Sequence, residues 1–530
     1  MMFGTGVYIA TALLALLGFF VAMQPYVHHF QLNSYKARPF IAEQLRSGKL
    51  RGTAMALAAA SLSGCFGLAW AGLKGIQWPA AVGACIGLAL GASVIVVFFS
   101  GKPAKKPLAY TPRVWRLFAL GLTFPALGLT AIPVFDLPGY WAMLLALPLL
   151  WMDVYISFVN LLLTPLEEHF RKGFKKKAVA KLRANPDRVI IGITGSFGKT
   201  STKMFLKTLL SQKFSCYATP ASFNTPLGVC RAINEELKPE HTHFICEMGA
   251  RQAGDIKELC ELVSPKHGII TAIGAAHLET MGSLEGVAAA KGELLDGLAE
   301  DGVAVLPADG GMGQALAEKR DNCLLFGTAD AANVRAFGIT AGPTGSDFSL
   351  IFGGEIVSAH TALLGAHNVE NLAAAAAMAW KLGMTPDEIA AAIALVEPVE
   401  HRLQVVRNDT ITVIDDAFNA NPAGVRAAMA VLAQFPGRKI VITPGLVEMG
   451  DREEAENEAV GELLAATADV VLLVGKSPRT NAIVKGFREV EDEKRLVRMD
   501  DLAEATAWIA QNSAAGDVIL FENDLPDNFS

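Results

Sequence analysis

Residues 189–201 read Val-Ile-Ile-Gly-Ile-Thr-Gly-Ser-Phe-Gly-Lys-Thr-Ser, and this stretch decides how the soluble half of the chain is interpreted. Its apolar start predicts a buried strand, and the run that continues to Leu210 predicts a helix. The turn between them carries Gly195 and Gly198. A strand, a glycine turn and a helix N-terminus together expose backbone N–H groups and the positive end of a helix dipole, which suits a polyphosphate.

Two side chains after the turn fit the same ligand. Lys199 would place an ammonium on the phosphates, and the Thr200 hydroxyl would bind a phosphate-bound Mg²⁺. The strict pattern G-x-x-x-x-G-K-[ST] is not met, because Ile193 stands where its first glycine belongs. An ordinary glycine turn before a helix is therefore the alternative interpretation, and the downstream motifs have to decide between the two.

From about residue 186 the chain alternates short apolar strands with helical stretches, which is typical of a parallel sheet covered by helices. The strands predicted in the first set are 188–193, 243–247, 268–273 and 302–306. The helices predicted with them are 200–211, 227–237, 254–262, 284–299 and 369–382. Residues 331–362 are richer in glycine, threonine and β-formers and predict a local antiparallel excursion.

A second alternating set follows the segment 396–402, which is the predicted boundary between two α/β domains. Its predicted strands lie near 410–414, 439–443, 470–474 and 517–521. Helices are predicted between them, including 422–434 and 453–465. Two parallel sheets in series are therefore expected.

The part of the chain before residue 170 holds most of the excess in a composition that is 52% apolar. Five stretches there are long and uncharged enough to span a bilayer, and they are 7–25, 53–73, 78–99, 117–135 and 139–163. Asp153 interrupts the last of them, either as a functional polar group or as a contact inside a helix bundle. The first stretch lacks a basic leading segment and a cleavage site, so it predicts a retained anchor rather than a signal peptide.

Basic residues predict the orientation of these spans. Lysines and arginines are concentrated in 26–52, 100–116 and 171–177, whereas the loops at 74–77 and 136–138 carry little charge. The positive-inside rule then places the N-terminus outside and everything beyond about residue 165 in the cytoplasm. The basic run could also attract anionic lipid headgroups, although a topology determinant is the simpler interpretation.

Composition excludes several classes of function. The seven cysteines form no C-x-x-C pair, so neither a structural zinc site nor a disulfide framework is indicated. The net charge of −6 and the lack of a basic face interleaved with aromatic residues argue against a nucleic-acid partner.

Polar residues gather where predicted strands end, the edge at which open α/β sheets place their sites. Glu247 ends one strand, and a carboxylate there can hold Mg²⁺ opposite a phosphate loop. His277 follows the next strand and can serve as a second metal ligand. Lys291 lies on a helix of small residues and by itself indicates only a surface lysine. Each of the three also has an ordinary structural interpretation.

Nine motifs follow one another in a fixed order, and they resemble those of the Mur ligase family, the ATP-dependent amide ligases of peptidoglycan precursor synthesis. Within the family they are most similar to the members that add D-alanyl-D-alanine. The motifs are Thr194-Gly-Ser-Phe-Gly-Lys-Thr-Ser201, Asn224-Thr-Pro-Leu-Gly228, Glu247-Met-Gly-Ala250, His277-Leu-Glu-Thr-Met-Gly-Ser283, Lys291-Gly-Glu293, Gly365-Ala-His-Asn-Val-Glu-Asn371, His401-Arg402, Asp415-Asp-Ala-Phe-Asn-Ala-Asn-Pro422 and Gly445-Leu-Val-Glu-Met-Gly450. The resemblance covers roughly 186–530.

The resemblance implies a role for each matching residue. ATP would be bound by Gly195, Ser196, Gly198, Lys199, Thr200, Ser201, Asn368, Asn371, Arg402, Asp415 and Asp416. Two Mg²⁺ ions would be held by Thr200, Glu247, His277 and Lys291, the last as a carbamate. The substrates would be contacted by Asn224, Thr225, Asn419 and Asn421. Catalysis would depend on Lys199, His277, Lys291 and Arg402.

The expected fold is a membrane α-helical bundle followed by a phosphate-loop ATPase domain and a Rossmann-like C-terminal domain. The expected divisions are a transmembrane region 1–170, a basic linker 171–185, a central ATP-binding domain 186–399 and a C-terminal domain 400–530. The protein is thus expected to be a multi-pass ligase of the cytoplasmic membrane, with its catalytic domains in the cytoplasm.

One departure from the family concerns the acceptor, because family members carry an N-terminal domain for the UDP-sugar and residues 1–185 show no such pocket. The acceptor could be nucleotide-linked, lipid-linked or a polymer end. Poly-γ-glutamate synthases, which combine a membrane anchor with a similar ligase domain, are one alternative. An ATP-binding membrane sensor or transporter is another, although the spans contain few of the polar groups that transport requires.

Overall fold

The computed structural model describes residues 2–33, 35–38, 40–42, 107–135, 147–274, 281–407, 410–418, 421–447, 449–490 and 495–522. The chain divides between Lys172 and Gly173 into two compact units. The helices α1 (Met2–Leu32), α2 (Pro112–Val134) and α3 (Leu147–Leu150) belong to the first unit, and α4 (Met152–Arg183) begins in it.

Helix α2 shows why this region is helical. The Thr111 hydroxyl accepts a hydrogen bond from the Val114 N–H at 3.3 Å, and Pro112 stands in the first turn, where its missing N–H costs nothing. The helix buries Leu117 and Phe118 in a core of aromatic and aliphatic side chains from the first unit. Capping and apolar packing together account for this element.

Two of the five predicted membrane spans are supported by helices in the described residues. Ala12–Leu32 in α1 and Pro112–Ala131 in α2 are long and apolar enough to cross a bilayer. A buried core helix or a signal sequence would meet the same criteria, so length and composition are all that these helices establish. The predicted spans 53–73 and 78–99 lie outside the described residues.

The fifth predicted span, 139–163, is not supported. Its start lies outside the described residues, and the chain then turns at Trp151 between α3 and α4. Helix α4 carries Asp153 near its beginning and the pair Glu167 and Glu168 beyond the predicted end. Helix α4 is not among the helices of the described residues that are long and apolar enough to cross a bilayer, and it continues into the stretch expected to be a basic linker.

The second unit contains two sheets. The first has nine strands in the order β2-β3-β1-β4-β5-β6-β7-β8-β9. They are β1 (Val189–Thr194), β2 (Cys216–Ala218), β3 (His243–Glu247), β4 (His267–Ile270), β5 (Ala304–Pro307), β6 (Cys323–Gly327), β7 (Val334–Gly342), β8 (Gly345–Phe352) and β9 (Glu355–Thr361). The strands from β2 to β7 are parallel, whereas β7, β8 and β9 form the antiparallel excursion predicted over 331–362.

Seven helices accompany the first sheet in the described residues. They are α5 (Lys199–Ser211), α6 (Pro226–Glu235), α7 (Asp255–Val263), α8 (Leu284–Asp296), α9 (Met312–Ala317), α10 (Ala366–Lys381) and α11 (Pro386–Ile393). Five of these were predicted, and α9 and α11 were not. In α10 the run Ala373–Ala377 is completely buried, because small side chains let the helix pack closely on the sheet and on α5.

The second sheet has six strands in the order β10-β11-β15-β12-β13-β14. They are β10 (Gln404–Arg407), β11 (Thr412–Asp416), β12 (Lys439–Thr443), β13 (Val470–Val474), β14 (Leu496–Met499) and β15 (Val518–Glu522). Only β10 is antiparallel to its neighbour. The helices are α12 (Pro422–Ala433), α13 (Glu453–Thr467), α14 (Pro478–Val490) and α15 (Leu502–Asn512). The two helix-covered sheets in series that the alternation predicts are therefore confirmed.

Adjacent parallel strands bring distant polar residues to one edge of each sheet. In the first sheet β1 lies between β3 and β4, so Thr194 and Glu247 end neighbouring strands. In the second sheet Asp416 at the end of β11 stands in register with Glu522 at the end of β15. These edges hold the polar groups from which a site can be built.

Candidate active site

The loop between β1 and α5 has the backbone that a phosphate ligand requires. Gly195 has φ +148° and Gly198 has φ +75°. A Cβ at Gly195 would lie 2.1 Å from Thr271 Oγ1, and one at Gly198 would lie 2.2 Å from Asn371 Oδ1. Conformation and crowding therefore both demand glycine at these two positions.

The segment after β4 holds the loop in place. The Ser196 hydroxyl donates to the Gly274 carbonyl at 3.0 Å and accepts from the Gly274 N–H at 3.1 Å. The Thr271 hydroxyl donates to the Phe197 carbonyl. The N-terminus of α5 has no side-chain cap, so the loop is fixed while its helix end stays open to an anion.

Lys199 folds back over this loop. Its Nζ donates to the Gly195 carbonyl at 2.8 Å and the Ser196 carbonyl at 3.2 Å. Burial lowers the pKa of Lys199 to about 8, with the charge of Glu247 opposing that shift and that of Arg402 adding to it. A bound polyphosphate would supply the negative charge that favours the ammonium form. Thr200, half-buried, and Ser201, buried, follow in the first turn of α5.

Glu247 is a buried carboxylate at this edge with a partner on each oxygen, and these partners were not all predicted. Lys203 Nζ lies 2.9 Å from Glu247 Oε2, and the two side chains are 0% and 1% exposed. Asn224 Nδ2 donates to Glu247 Oε1 at 3.0 Å. Lys203 also donates to the Ala221 carbonyl at 2.5 Å. Sequence reasoning missed Lys203, whose one distinguishing feature is that it follows Lys199 by one helical turn.

Asn224 and Thr225, the residues of the first domain that were expected to contact substrate, make hydrogen bonds within the protein. Asn224 orients Glu247, and its carbonyl accepts a hydrogen bond from the Gly249 N–H at 2.8 Å. Thr225 is the N-cap of α6, where its hydroxyl accepts from the Gly228 N–H at 3.4 Å. Both side chains help to shape the edge beside Glu247.

Lys291 is not the surface lysine that its sequence context alone indicates. It lies in α8 and is 2% exposed. Burial, with a smaller contribution from the nearby charge of Lys199, lowers the pKa of Lys291 to about 7. A substantial neutral fraction near pH 7 leaves an amine lone pair available to react. His277, the other expected ligand of a second metal ion, lies outside the described residues.

The described residues include no group of three or more His, Cys, Asp or Glu side chains that could hold a metal ion. Mg²⁺ in nucleotide sites is usually bound by one or two carboxylates together with substrate phosphates and water. The Thr200 hydroxyl beside an anion loop and the single carboxylate of Glu247 fit such an ion, and they fit it only together with a nucleotide.

The two asparagines of the Gly365–Asn371 motif differ in what they contact. Asn368 Nδ2 donates to the Leu364 carbonyl at 2.9 Å inside the first turn of α10. Asn371 Oδ1 accepts from the Thr202 hydroxyl at 3.3 Å, and its side chain crowds the Gly198 side of the loop. Of the two, Asn371 is brought to the phosphate loop.

Arg402 stands in an unusual backbone context. The residues on both sides have positive φ, +59° at His401 and +47° at Leu403, which is rare for residues other than glycine. The guanidinium lies 5.2 Å from the centre of the Phe418 ring. Burial lowers the pKa of Arg402, whereas Glu247 and then Asp416 raise it. The guanidinium is therefore within electrostatic reach of both sheets.

Carboxylates define the corresponding edge of the second sheet. His401 Nδ1 lies 2.7 Å from Asp415 Oδ2, and the Leu403 N–H donates to Asp416 Oδ1 at 3.1 Å. Burial raises the pKa of Asp416 to about 6. Burial, followed by the charge of Asp416, also raises the pKa of Glu522, which is 1% exposed. Sequence reasoning missed Glu522.

The asparagines expected to contact the incoming substrate complete this edge only in part. Asn421 is the N-cap of α12, where its Oδ1 accepts from the N–H groups of Ala423 at 3.2 Å and Gly424 at 3.0 Å. Asn419 lies outside the described residues. The structure thus gives Asn421 a role in fixing the start of a helix.

Comparison with known proteins accounts for this arrangement. The family model described as Mur ligase middle domain matches residues 193–379, and the one described as Mur ligase, glutamate ligase domain matches residues 401–522. The UDP-N-acetylmuramoyl-tripeptide–D-alanyl-D-alanine ligase of Escherichia coli K12 is 34% identical over 326 residues, which are 60% of this chain and 71% of that enzyme. The chain belongs to the Mur ligase family.

Other Mur ligases agree with that assignment. The Bacillus subtilis enzyme of the same name is 28% identical over 63% of this chain and 72% of its own length. A crystal structure of MurF from Acinetobacter baumannii has a TM-score of 0.61 at 28% identity, covering 67% of this chain and 77% of that one. MurF from Thermotoga maritima, solved in complex with ADP, has a TM-score of 0.60 at 26% identity, over 67% and 80%.

Membership of the Mur ligase family makes the chain an ATP-dependent ligase, as the sequence motifs predict. The two family models match only residues of the second compact unit. Membership therefore explains the phosphate loop and the two sheet edges, and it leaves the first 172 residues to be interpreted on their own.

Proposed function

We propose that this chain joins a peptide carboxylate to the amine of D-alanyl-D-alanine or a similar dipeptide, in the synthesis of peptidoglycan precursors or a related envelope polymer. The observation that carries the proposal is the meeting of Lys199, Glu247 and Arg402 at one edge, next to the glycine loop. The name of the Escherichia coli relative supports D-alanyl-D-alanine as the amine.

The first step activates the acceptor. A carboxylate oxygen attacks the γ-phosphorus of ATP, the bond to the β-phosphate oxygen breaks, and an acyl phosphate and ADP result. Negative charge on the transferring group is offset by Lys199 and Arg402. Bound Mg²⁺ would supply further charge neutralisation, with Thr200 and Glu247 as the residues that would hold it.

The second step forms the amide. The neutral amine attacks the acyl carbon, a tetrahedral intermediate forms, and inorganic phosphate leaves with the oxygen that came from the acceptor. The amine must lose a proton in the process. The carboxylates Asp415 and Asp416, at the edge of the second sheet, are well placed to attract the ammonium form of such a substrate to this domain.

The remaining nucleotide contacts are assigned by the same reasoning. Gly195, Ser196, Gly198 and Ser201 belong to the loop and helix end that would cradle the phosphates. Asn371 adjoins that loop, and with Asn368 it would face the adenine. Asp415 or Asp416 would accept hydrogen bonds from the ribose hydroxyls, and Asn419 and Asn421 would border the amine site.

For Lys291 we propose a carbamate rather than an ammonium. Its amine would add to CO₂ and lose a proton, which reverses the sign of its charge. Burial, and after it the nearby charge of Lys199, disfavour an ammonium at this position and lower the pKa of Lys291. The carbamate oxygens suit a hard cation, which Lys291 would hold together with His277.

Residues 1–170 are proposed to attach the enzyme to the cytoplasmic membrane, with the ligase domains 186–399 and 400–530 in the cytoplasm. The helices Ala12–Leu32 and Pro112–Ala131 support attachment by their length and composition. The basic residues of 26–52, 100–116 and 171–177 support the orientation. An enzyme held at the membrane would reach a lipid-linked acceptor there. It would then need no UDP-binding domain to capture that acceptor.

The full chain, purified in detergent, provides the test. ADP release is measured with D-alanyl-D-alanine and either a UDP-linked or a lipid-linked peptide acceptor carrying a free carboxylate. We expect ADP release that needs both substrates and is faster with the lipid-linked acceptor. Equal rates with both would remove the argument for a membrane acceptor, and a rate that is independent of any amine would contradict the ligase proposal.

A further inference from the structure

The proposed reaction uses Glu247 but assigns no part to the ion pair that Glu247 makes with Lys203 at the edge of the first sheet. Lys203 Nζ contacts Glu247 Oε2 at 2.9 Å and the Ala221 carbonyl at 2.5 Å. The other carboxylate oxygen accepts from Asn224 Nδ2 at 3.0 Å. Glu247 is thus held on both sides by groups that are themselves anchored in the fold.

Glu247 also stands among more positive charges than one carboxylate can balance. The charges of Lys199, Lys203 and Arg402 all interact with it. Lys199 and Arg402 are half-buried at the edge of the first sheet, where a polyphosphate can meet them, whereas the Lys203 side chain is 0% exposed. Lys203 is therefore the cation that stays on Glu247 when a nucleotide arrives.

We propose that Lys203 is a positioning residue that makes divalent-cation binding at Glu247 conditional on a bound nucleotide. The inference rests on the proposed function, since it takes Glu247 as the residue that faces the ion. It adds a role for Lys203 that neither the motifs nor the ligase reaction requires.

The physical basis is competition for one carboxylate. A carboxylate offers about four lone-pair directions, so Glu247 can accept from Lys203 and Asn224 and still face a cation. The fixed ammonium nevertheless repels a free divalent ion, and burial leaves little water to screen that repulsion. The triphosphate brings enough negative charge to reverse the balance. A metal ion would then enter with the nucleotide and not before it.

Binding of Mn²⁺, used as a paramagnetic probe for Mg²⁺, tests this without any turnover. The free ion is titrated by electron paramagnetic resonance into the full chain, with and without a non-hydrolysable ATP analogue. The variants are Lys203→Met, which removes charge and donors, and Lys203→Gln, which removes the charge but keeps N–H donors on a slightly shorter side chain. Lys207→Met, one turn further along α5, is the matched control, and Glu247→Gln added to each variant assigns the site.

We expect wild type and Lys207→Met to bind Mn²⁺ at Glu247 only when the nucleotide analogue is present. Lys203→Met and Lys203→Gln should bind it without nucleotide at least about tenfold more tightly than wild type, as removal of a buried like charge implies. Glu247→Gln should abolish that gain. Affinities within about twofold of wild type, or a gain that survives Glu247→Gln, would overturn the proposal.

Wild type alone supplies a test that no folding defect can obscure. A wild-type Mn²⁺ affinity that is lost in Glu247→Gln and is unchanged by the nucleotide analogue would overturn the conditional binding. The result is also separable from the ligase reaction. A conditional Mn²⁺ site in a protein that releases no ADP with any acceptor would leave this inference standing and remove the proposed function.

Discussion

The two sheets of the second unit both have a parallel core and carry opposite charges at their edges. The edge of the first sheet collects Lys199 and Lys203 around the carboxylate of Glu247, and Lys291 is close enough to Lys199 to interact with its charge. The edge of the second collects carboxylates, of which Asp416 and Glu522 stand in register on neighbouring strands. Similar sheets thus provide one cationic and one acidic edge, and the difference lies in the side chains at and after the strand ends.

This division of charge matches the two substrates of a ligase. A polyphosphate and an activated carboxylate belong at the cationic edge, and an amine, which arrives as an ammonium ion, belongs at the acidic edge. Arg402 interacts with a carboxylate of each sheet. The comparison therefore predicts that variants at the first edge impair phosphoryl transfer most and that variants at the second edge act mainly on the use of the amine.

The largest effect is expected from Lys199→Ala. Backbone N–H groups of the loop cannot replace an ammonium on the β- and γ-phosphates, so ADP release should fall by about 10³-fold. Lys213→Ala, which removes an exposed lysine paired with Glu388, should have little effect. Turnover near the wild-type rate in Lys199→Ala would mean that the cationic edge is not the phosphate site.

Lys291→Ala should follow, with a loss of about 10²-fold in ligation, because a second negative ligand for the cation disappears. Acetate or formate should restore part of the activity by occupying the space of the missing carbamate. Mass spectrometry of the intact wild-type protein under CO₂ checks the modification directly. Full activity of Lys291→Ala without any added carboxylate would rule out the carbamate.

A smaller effect is expected from Arg402→Lys. Lysine keeps the charge but loses the planar fork of donors that can serve a phosphoryl group and Asp416 together. The rate constant kcat should fall by about tenfold while the KM for the amine changes little. Arg426→Lys, on the exposed face of α12, is the control. A change confined to the KM for the amine would contradict this prediction, because it would show that Arg402 serves the amine and not the phosphoryl group.

The smallest effect concerns stability and the acidic edge. Burial raises the pKa of Glu522, so folding favours its protonated form and stability is lost as the pH rises above the carboxyl's ordinary range. The neutral variant Glu522→Gln should therefore raise the free energy of unfolding by about 1–3 kcal/mol at pH 8 and by less at pH 5, and the melting temperature should rise accordingly. Equal shifts at both pH values, or a shift also seen in exposed Glu462→Gln, would show that no buried charge is involved.

The sequence predicts the sheets better than it predicts their edges. Alternation of apolar strands and amphipathic helices predicts β3 and β13 with the bounds that the structure shows. Strands β2, β6, β10 and β14 were missed. For β2, β10 and β14 the reason is that three or four residues at the margin of a sheet carry too little periodicity. The motifs likewise identify Lys199 and Glu247, which are close in space because β1 and β3 are neighbours.

Lys203 and Glu522 could not be found in this way. Lys203 looks like any lysine of a helix until the fold brings Ala221 and Glu247, 18 and 44 residues away, to its ammonium. Glu522 ends an apolar strand, and its place in the acidic edge is evident only when the fold sets Asp416 beside it. Burial of charge depends on long-range pairing, and no local pattern in one sequence records it.

The account stands on the claim that ATP activates a carboxylate as an acyl phosphate before the amide forms. An acceptor labelled with ¹⁸O in its carboxylate tests it, with the label followed by mass spectrometry in every product. We predict that one labelled oxygen appears in inorganic phosphate for each amide formed, because the acceptor's oxygen leaves with the phosphoryl group. Amide formation with labelled AMP, or with no label in phosphate, would contradict the account.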